Sequence, residues 1–289
     1  MKKSIAVFTC FVFLFLFLFT ACSEKGVTNL DWKNSGEKAG PSDGPGYTVY
    51  SKTGYNKASE IVHLSKVQSN LSRKDNNKGI NAYVFLGIDV YRNGTQWQNC
   101  VDAGIVRSGN DGKWHACMNR YMADPDESTW WESTVSLDAS HDYKLELDSS
   151  KKDEEITLSV IDVTDGNKTV ETKTVSFYFT KADGSNTSFY QCVSMAFPPD
   201  IRYDTKGNAD SSDFEEVLLY NTDQNIYFKN VKVTDLTLYN AAGSYSWTEE
   251  RTKDRFMWPN QETKIKYPCV SVGSVKKDFE EVVSLNLNK

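Results

Sequence analysis

Six residues between positions 89 and 121 carry side chains suited to holding hydroxyl or peptide groups: Asp89, Tyr91, Asp102, His115, Asn119 and Tyr121. Carboxylates accept hydrogen bonds from hydroxyls, amides donate and accept, and flat rings cover apolar sugar or peptide faces at little cost in rotamer freedom. Their spacing makes them a set. They recur at same-face positions in the stretch 83–122, YVFLGIDVYRNGTQWQNCVDAGIVRSGNDGKWHACMNRYM, which reads as three consecutive antiparallel strands.

The register of those strands follows from the residues. Gly109-Asn110-Asp111-Gly112 has the composition of a two-residue hairpin turn with positive φ. With Asn110 and Asp111 as the loop, Ile105 faces Ala116 and Ala103 faces Met118. A slip of one residue would put Val101, Ala103 and Ile105 on the opposite face from Trp114, Ala116 and Met118. These residues, with Val84, Leu86, Ile88 and Val90, form the expected core side. The other face presents the six polar and aromatic residues, and Gly87 and Gly104 are expected to leave room above it. Trp97, in the polar loop before Cys100, and Trp130, in the loop opened by Asp124-Pro125-Asp126, are expected at the rim of this ligand-binding face. Trp130 and Trp131 are adjacent, so on a strand they point opposite ways and one stays outside the core.

Asp89 and Asp102 sit on neighbouring strands and one face, where two carboxyls ~5–9.5 Å apart would serve glycoside hydrolysis. A clustered acid-x-acid-x-x-acid strand motif is absent, however, and Glu215-Glu216 reads as a surface charge pair. No serine sits in a nucleophile elbow, and His63, His115 and His141 have no acid partner nearby in sequence to recommend a triad. No catalytic residue is assigned, and binding is favoured over catalysis. Asp204, Asn208, Asp210, Ser212 and Glu215 approach the spacing of a calcium loop, but Lys206 takes a ligand position and the glycine falls at Gly207. They read as an acidic surface loop, and neither metal nor cofactor is expected.

At the N-terminus, Lys2 and Lys3 precede an apolar run from Val7 to Phe19, short of the ~20 residues that span a bilayer. Phe19-Thr20-Ala21-Cys22 follows and resembles a bacterial lipobox. The resemblance implies that residues 1–21 are a lipoprotein signal peptide and that Cys22 becomes the lipidated N-terminus. It also implies attachment to the bacterial cell envelope, at the outer membrane or cell surface. Residues 22–46, rich in Gly, Ser, Lys, Asp and Pro, read as a flexible tether.

Over residues 22–289 the formal charge is −8, with 31 basic residues against 39 acidic ones, which argues against nucleic acid as a partner. In an exported chain Cys100, Cys117, Cys192 and Cys269 are expected in disulfides, with three connectivities open. The register places Cys117 opposite Gly104, ~13 Å along the strand from Cys100, beyond the ~7 Å a disulfide bridges, so those two are not expected to bond to each other.

Further strands are expected at 47–50, 134–137, 143–147, 156–163, 169–178, 189–197, 215–220, 226–229 and 231–239, with 60–71 as strand or short helix. Many strands, evenly spaced turns and no long helix predict an all-β fold, an antiparallel two-sheet jelly-roll β-sandwich over residues 47–240. Residues 241–289 are expected as a C-terminal appendage packed on it.

Three segments, 83–122, the pair 143–147 and 156–162, and 226–239, together resemble the concanavalin A-like lectin and glucanase jelly roll. Within that superfamily, Leu86-Gly87-Ile88-Asp89 followed by Val101-Asp102-Ala103-Gly104 is similar to the Gly-Ile-Asp and Leu-Gln-Ala/Thr-Gly pattern of the glutamic peptidases. Asp102 stands where that family has its catalytic glutamine, and the partner glutamate would fall near Tyr220 in 216–220, so the dyad is missing. The resemblance implies that the concave sheet face is the working surface. The leading expectation is a lipid-anchored protein binding a glycan or related polymer there. The alternatives are a glycoside hydrolase or peptidase acting at the same face, and a structural or host-contact envelope lipoprotein.

Overall fold

The computed structural model describes residues 43–72, 80–92, 96–122, 129–151, 154–176, 184–196, 203–206, 215–218, 225–258, 270–273 and 281–286. Cys22, Cys269 and Tyr220, and all but Asp43–Gly46 of the expected tether, lie outside them. The strands, in chain order, are β1 (Asp43–Ser51), β2 (Lys57–Val62), β3 (Gln68–Asn70), β4 (Asn81–Arg92), β5 (Gln96–Arg107), β6 (Trp114–Met122), β7 (Thr129–Leu137), β8 (Tyr143–Asp148), β9 (Glu155–Asp162), β10 (Lys168–Ser176), β11 (Thr187–Ala196), β12 (Tyr203–Lys206), β13 (Glu215–Leu218), β14 (Tyr227–Asn240), β15 (Gly243–Ser246), β16 (Thr252–Trp258), β17 (Val270–Val272) and β18 (Glu281–Asn286). One sheet has the order β16-β1-β11-β4-β5-β6-β7. The other runs β10-β9-β8-β2-β14-β18-β17, with β3 and β15 also paired to β14, and β12 and β13 form a separate pair. The two large antiparallel sheets pack as an all-β sandwich of jelly-roll type.

The period of two in the sequence explains the layering. Along β9, half-exposed and buried residues alternate from Glu155 to Asp162. In β4, β5 and β6 the expected core residues, from Val84 through Met118, are at most 2% exposed. Ile105 pairs with Ala116 and Ala103 with Met118, as the turn and the apolar pattern require. The Trp114 ring meets Phe228 of the facing sheet at 5.9 Å. The turn itself is wider than two residues: the Gly112 amide donates to the Ser108 carbonyl at 2.9 Å, and Asp111 Oδ1 takes the Lys113 amide at 2.9 Å.

Several boundaries differ from expectation. Residues 60–71 resolve into β2, a one-turn 3-10 helix at Leu64–Lys66, and β3. The segments expected at 226–229 and 231–239 are a single strand, β14, whose pairing shifts near Asn230 and Asp235. Both residues have positive φ, 58° and 54°, which Asn and Asp tolerate better than other side chains. Trp130 and Trp131 stand on β7 and not in a loop. Residues 241–289 supply β15 to β18 and so add strands to both large sheets, with Trp247 fully buried. Asp204 and Glu215 lie on the paired strands β12 and β13 and not in the surface loop expected for them, while Asn208, Asp210 and Ser212 lie outside the described residues.

Cys100, Cys117 and Cys192 are free thiols, which corrects the disulfide expectation for these three. Cys192 pairs with Phe85, Phe85 with Gly104, and Gly104 with Cys117, so three strand spacings, about 14 Å, separate the outer two thiols. Cys100 pairs with Tyr121, four residues along β5 from Gly104.

Candidate functional site

The outer face of the seven-stranded sheet is built by side chains that alternate with the core residues. Register places Tyr50, Tyr190, Gly87, Asp102, Asn119 and Trp130 in one row across β1, β11, β4, β5, β6 and β7. Asp89 and Cys100 form a neighbouring row with Tyr121.

At the centre, the Tyr190 hydroxyl donates a short hydrogen bond to Asp102 Oδ1. The Cys100 sulfur is 2.9 Å from the same phenol and donates to Asp102 Oδ1 at 3.7 Å. Tyr190 is 5% exposed, its ring 4.9 Å from that of Tyr50 and edge-on to Phe85 at 6.2 Å. The room expected above the two glycines is filled by the protein itself. A Cβ at Gly87 would overlap the Tyr190 ring, and one at Gly104 would meet the backbone of Val84 and Phe85. Glycine at 87 is what lets a ring from β11 lie flat over β4 and reach β5.

A second cluster surrounds Asp89. The Trp97 indole donates to Asp89 Oδ1 at 3.1 Å, and the Tyr91 hydroxyl donates to Oδ2 at 3.3 Å. Trp97 reaches this face through a β-bulge: Val90 pairs with Asn99 and Tyr91 with Trp97, which leaves Gln98 as the extra residue. Were Gln98 paired in the ladder, strict alternation would send Trp97 to the core side with Asn99 and Val101.

Burial keeps the thiol and phenols of this face in their neutral forms. Burial, followed by the charges of Asp102 and Asp89, pushes the Cys100 thiol well above its ordinary range. Burial likewise raises the Tyr190 phenol, with Asp102 the next cause, and the Tyr50 phenol, with Asp89 next. Tyr83 is pushed up to about 12 by burial, against the Asn81 hydrogen bond that lowers it. The thiol and phenols therefore stay protonated at neutral pH and can donate hydrogen bonds.

Asp89, Tyr91, Asp102, Asn119, Tyr121, Trp97 and Trp130 share this face. The exposed aromatic residues on it are Trp97 at 40%, Tyr121 at 38% and Trp130 at 48%, with Trp130 edge-on to Tyr83. Trp131 turns inward against the core, as adjacency on a strand demands. His115 is on the face but apart from the carboxylates. It is 5% exposed, with Nδ1 3.1 Å from the Val135 carbonyl and Nε2 2.9 Å from Asp111 Oδ2, and serves to tie the hairpin turn to β7.

Each histidine has a carboxylate neighbour, and that of His115, Asp111, is four positions away, which corrects the expectation of no acid partner nearby in sequence. His63 Nδ1 lies 2.7 Å from Asp142 and His141 Nδ1 2.6 Å from Asp162. His63 Nε2 also lies 2.9 Å from the Thr234 hydroxyl. That order, hydroxyl, imidazole, carboxylate, is the order of a hydrolytic triad. Thr234, however, is 8% exposed beside the left-handed Asp235, and the three residues brace β14 against the turn before β8.

Tyr190 and Tyr50 are the site residues that sequence reasoning missed. Of residues 215–220, where the resemblance would put a partner glutamate near Tyr220, the described part, Glu215–Leu218, pairs with β12 outside the large sheets. Gly87, a glycine inside an otherwise β-branched and aromatic strand, is the local signal that a ring approaches there.

No family model matches the chain, and no curated protein matches it. Among solved structures it is similar to Scytalido-glutamic peptidase with a peptide-based transition-state analogue, at 12% identity and a TM-score of 0.46, over 85% of this chain and 98% of that one. It is also similar to a member of the eqolisin family of peptidases in complex with the tripeptide Ala-Ile-His, at 11% identity and 0.44, over 85% and 98%. A third, a protein of unknown function from Shewanella oneidensis MR-1, gives 11% identity and 0.23 over 56% and 62%. The first two neighbours are glutamic peptidase (eqolisin) folds, a β-sandwich.

Proposed function

We propose that the outer face of the seven-stranded sheet binds a hydroxyl-rich polymer, a glycan or a related chain, on a protein held at a bacterial cell envelope by lipid on Cys22. One observation carries this reading: Trp97, Tyr121 and Trp130 are exposed on the face that also holds Asp89 and Asp102. Exposed rings beside the half-buried carboxylate of Asp102 match a sugar chain, whose apolar C–H faces stack on rings while its hydroxyls donate to carboxylate oxygen. The buried Asp89 holds the rings of Trp97 and Tyr91 in place. Trp97 is fixed by its bond to Asp89, so little side-chain freedom is lost on binding.

A second reading, hydrolysis at the same face, is favoured by the Tyr190–Asp102 hydrogen bond beside a second carboxylate, Asp89. A carboxylate that accepts a proton next to a phenol that retains one has the elements of acid–base catalysis. Both readings are tested by screening glycans and casein for binding and for released products, with Asp102→Asn as the comparison. A binding protein shows changed affinity and no product in either form. A hydrolase releases product that disappears in Asp102→Asn while binding persists. Binding that survives Asp102→Ala and Tyr121→Ala unchanged removes this face from both readings.

A further inference from the structure

β7 ends one large sheet and β10 ends the other, and at this open edge the layers are bridged twice. Arg120 Nη1 donates to the Ser176 carbonyl at 2.9 Å, and the Ser133 hydroxyl donates to Glu171 Oε2. Beside the first bridge lies a cavity of about 330 Å³. Its floor is apolar: Met118 and Trp131 are register partners, Met118 is 1% exposed, and both Trp131 and Val175 pack against the core. Its cations are Arg120, two residues from Met118, and Lys173, two residues from Val175, so strand alternation puts each on the same side as its apolar neighbour. Lys173 Nζ stands 5.1 Å from the centre of the Trp131 ring. None of the described residues that line the cavity is acidic, on a chain whose charge is negative overall.

We propose that this edge cavity binds the carboxylate end of a peptide whose last residue is apolar. The carboxylate sits between Arg120 and Lys173, and the side chain lies on Trp131, Met118 and Val175. The volume falls at the lower end of small-ligand pockets, ~300–1,000 Å³, enough for about one residue. Two cations over a largely apolar floor select an anion with an apolar body, since guanidinium and ammonium donate to both carboxylate oxygens while Met118 and Val175 offer no hydrogen-bond donor. That floor also argues against a sugar acid, whose ring hydroxyls would lie unpaired against Met118 and Val175. The cavity opens at the sheet edge, where Trp130 also lines it, while its floor of Met118 and Trp131 lies on the other side of the sheet from Asp102.

The test is titration of the folded protein with N-acetyl-L-phenylalanine, its amide, and glucuronate, read on the Trp131 indole N–H resonance assigned with Trp131→Phe. The proposal expects a saturable shift with the acid and binding at least tenfold weaker for the amide. It also expects at least tenfold loss in Lys173→Met, whose thermal melt checks that the fold is kept. Asp102→Asn should bind the acid as the wild type does, which separates this cavity from the outer face. No saturable shift with the acid, an amide that binds equally well, or preference for glucuronate would each overturn the proposal. If Lys173→Met does not fold, the acid-to-amide ratio of the wild type decides.

Discussion

Tyr190 reaches across the backbone of Gly87 to donate its hydroxyl hydrogen to Asp102, spanning a whole strand between β11 and β5. The bond joins residues 88 positions apart in sequence and fixes the orientation of one carboxylate on the face. It depends on a missing Cβ. Gly87→Ala should displace the ring, cost ~1–3 kcal/mol in a urea melt, as overpacking does, and weaken polymer binding in parallel. A variant as stable as the wild type would mean that the ring can move at no cost and that Gly87 has no such role.

The bulge at Gln98 can be tested separately. Deleting Gln98 removes the bulge but sets Trp97 directly beside the core-facing Asn99, opposite Tyr91, so Trp97 stays on the side of Asp89. Affinity for the polymer should then stay within about twofold of the wild type, whereas Trp97→Ala should lose roughly tenfold or ~1.4 kcal/mol. Isothermal titration of the two variants makes the comparison. Unchanged affinity in both would exclude Trp97 from the binding face.

The pair His141–Asp162 gives a pH dependence with a definite sign. The hydrogen bond that His141 donates to Asp162 is the main cause that raises His141 above its usual 6.5. Burial raises Asp162, but the hydrogen bond from His141 and the amides of Asp165 and Thr164 outweigh it and hold the carboxyl below 3.8. The stability contributed through His141 is complete below pH 6.5 and is lost as pH rises through its elevated folded value. That contributed through Asp162 is present above pH 3.8 and is lost as pH falls through its depressed folded value. The difference in melting temperature between the wild type and His141→Asn should therefore be largest between those limits and shrink toward pH 9. A difference that grows with pH would contradict the assignment.

The thiols should be chemically silent while the chain is folded. Burial holds Cys192 up to about 12 and raises Cys117 and Cys100, so at pH 8 thiolate is scarce. Against an ordinary thiol near 9, Cys192 should alkylate roughly a thousandfold more slowly in the native state and at the normal rate in urea. Peptide mass spectrometry after iodoacetamide treatment distinguishes the sites. Rapid native labelling at Cys192 would show that it is not held in this environment.

The hairpin register was legible because two local signals agreed: a Gly-Asn-Asp-Gly turn and a period of two that tolerates no slip. Asp89, Asp102, Asn119 and Tyr121 then followed to one face by counting. What counting could not supply was the strand inserted beside β4. β11 lies about a hundred residues downstream, and nothing in its own residues announces its neighbour, so Tyr190 was hidden while Gly87 was visible. Trp97 was placed at the rim for the wrong reason, because a bulge is a single extra residue that leaves no compositional trace. The histidine pairs were hidden likewise: His63 meets Asp142 across 79 positions, a closure made by the sheet and not by local sequence.

β1 lies between β11 and β16. Its Thr48 pairs with Cys192 on one side and Phe256 on the other. During synthesis, therefore, this early strand leaves the ribosome with neither neighbour yet made, and its second arrives only after some two hundred further residues. Such distant closure slows folding and leaves an apolar edge open in the interval, so the growing chain should call on a holding chaperone until β16 emerges.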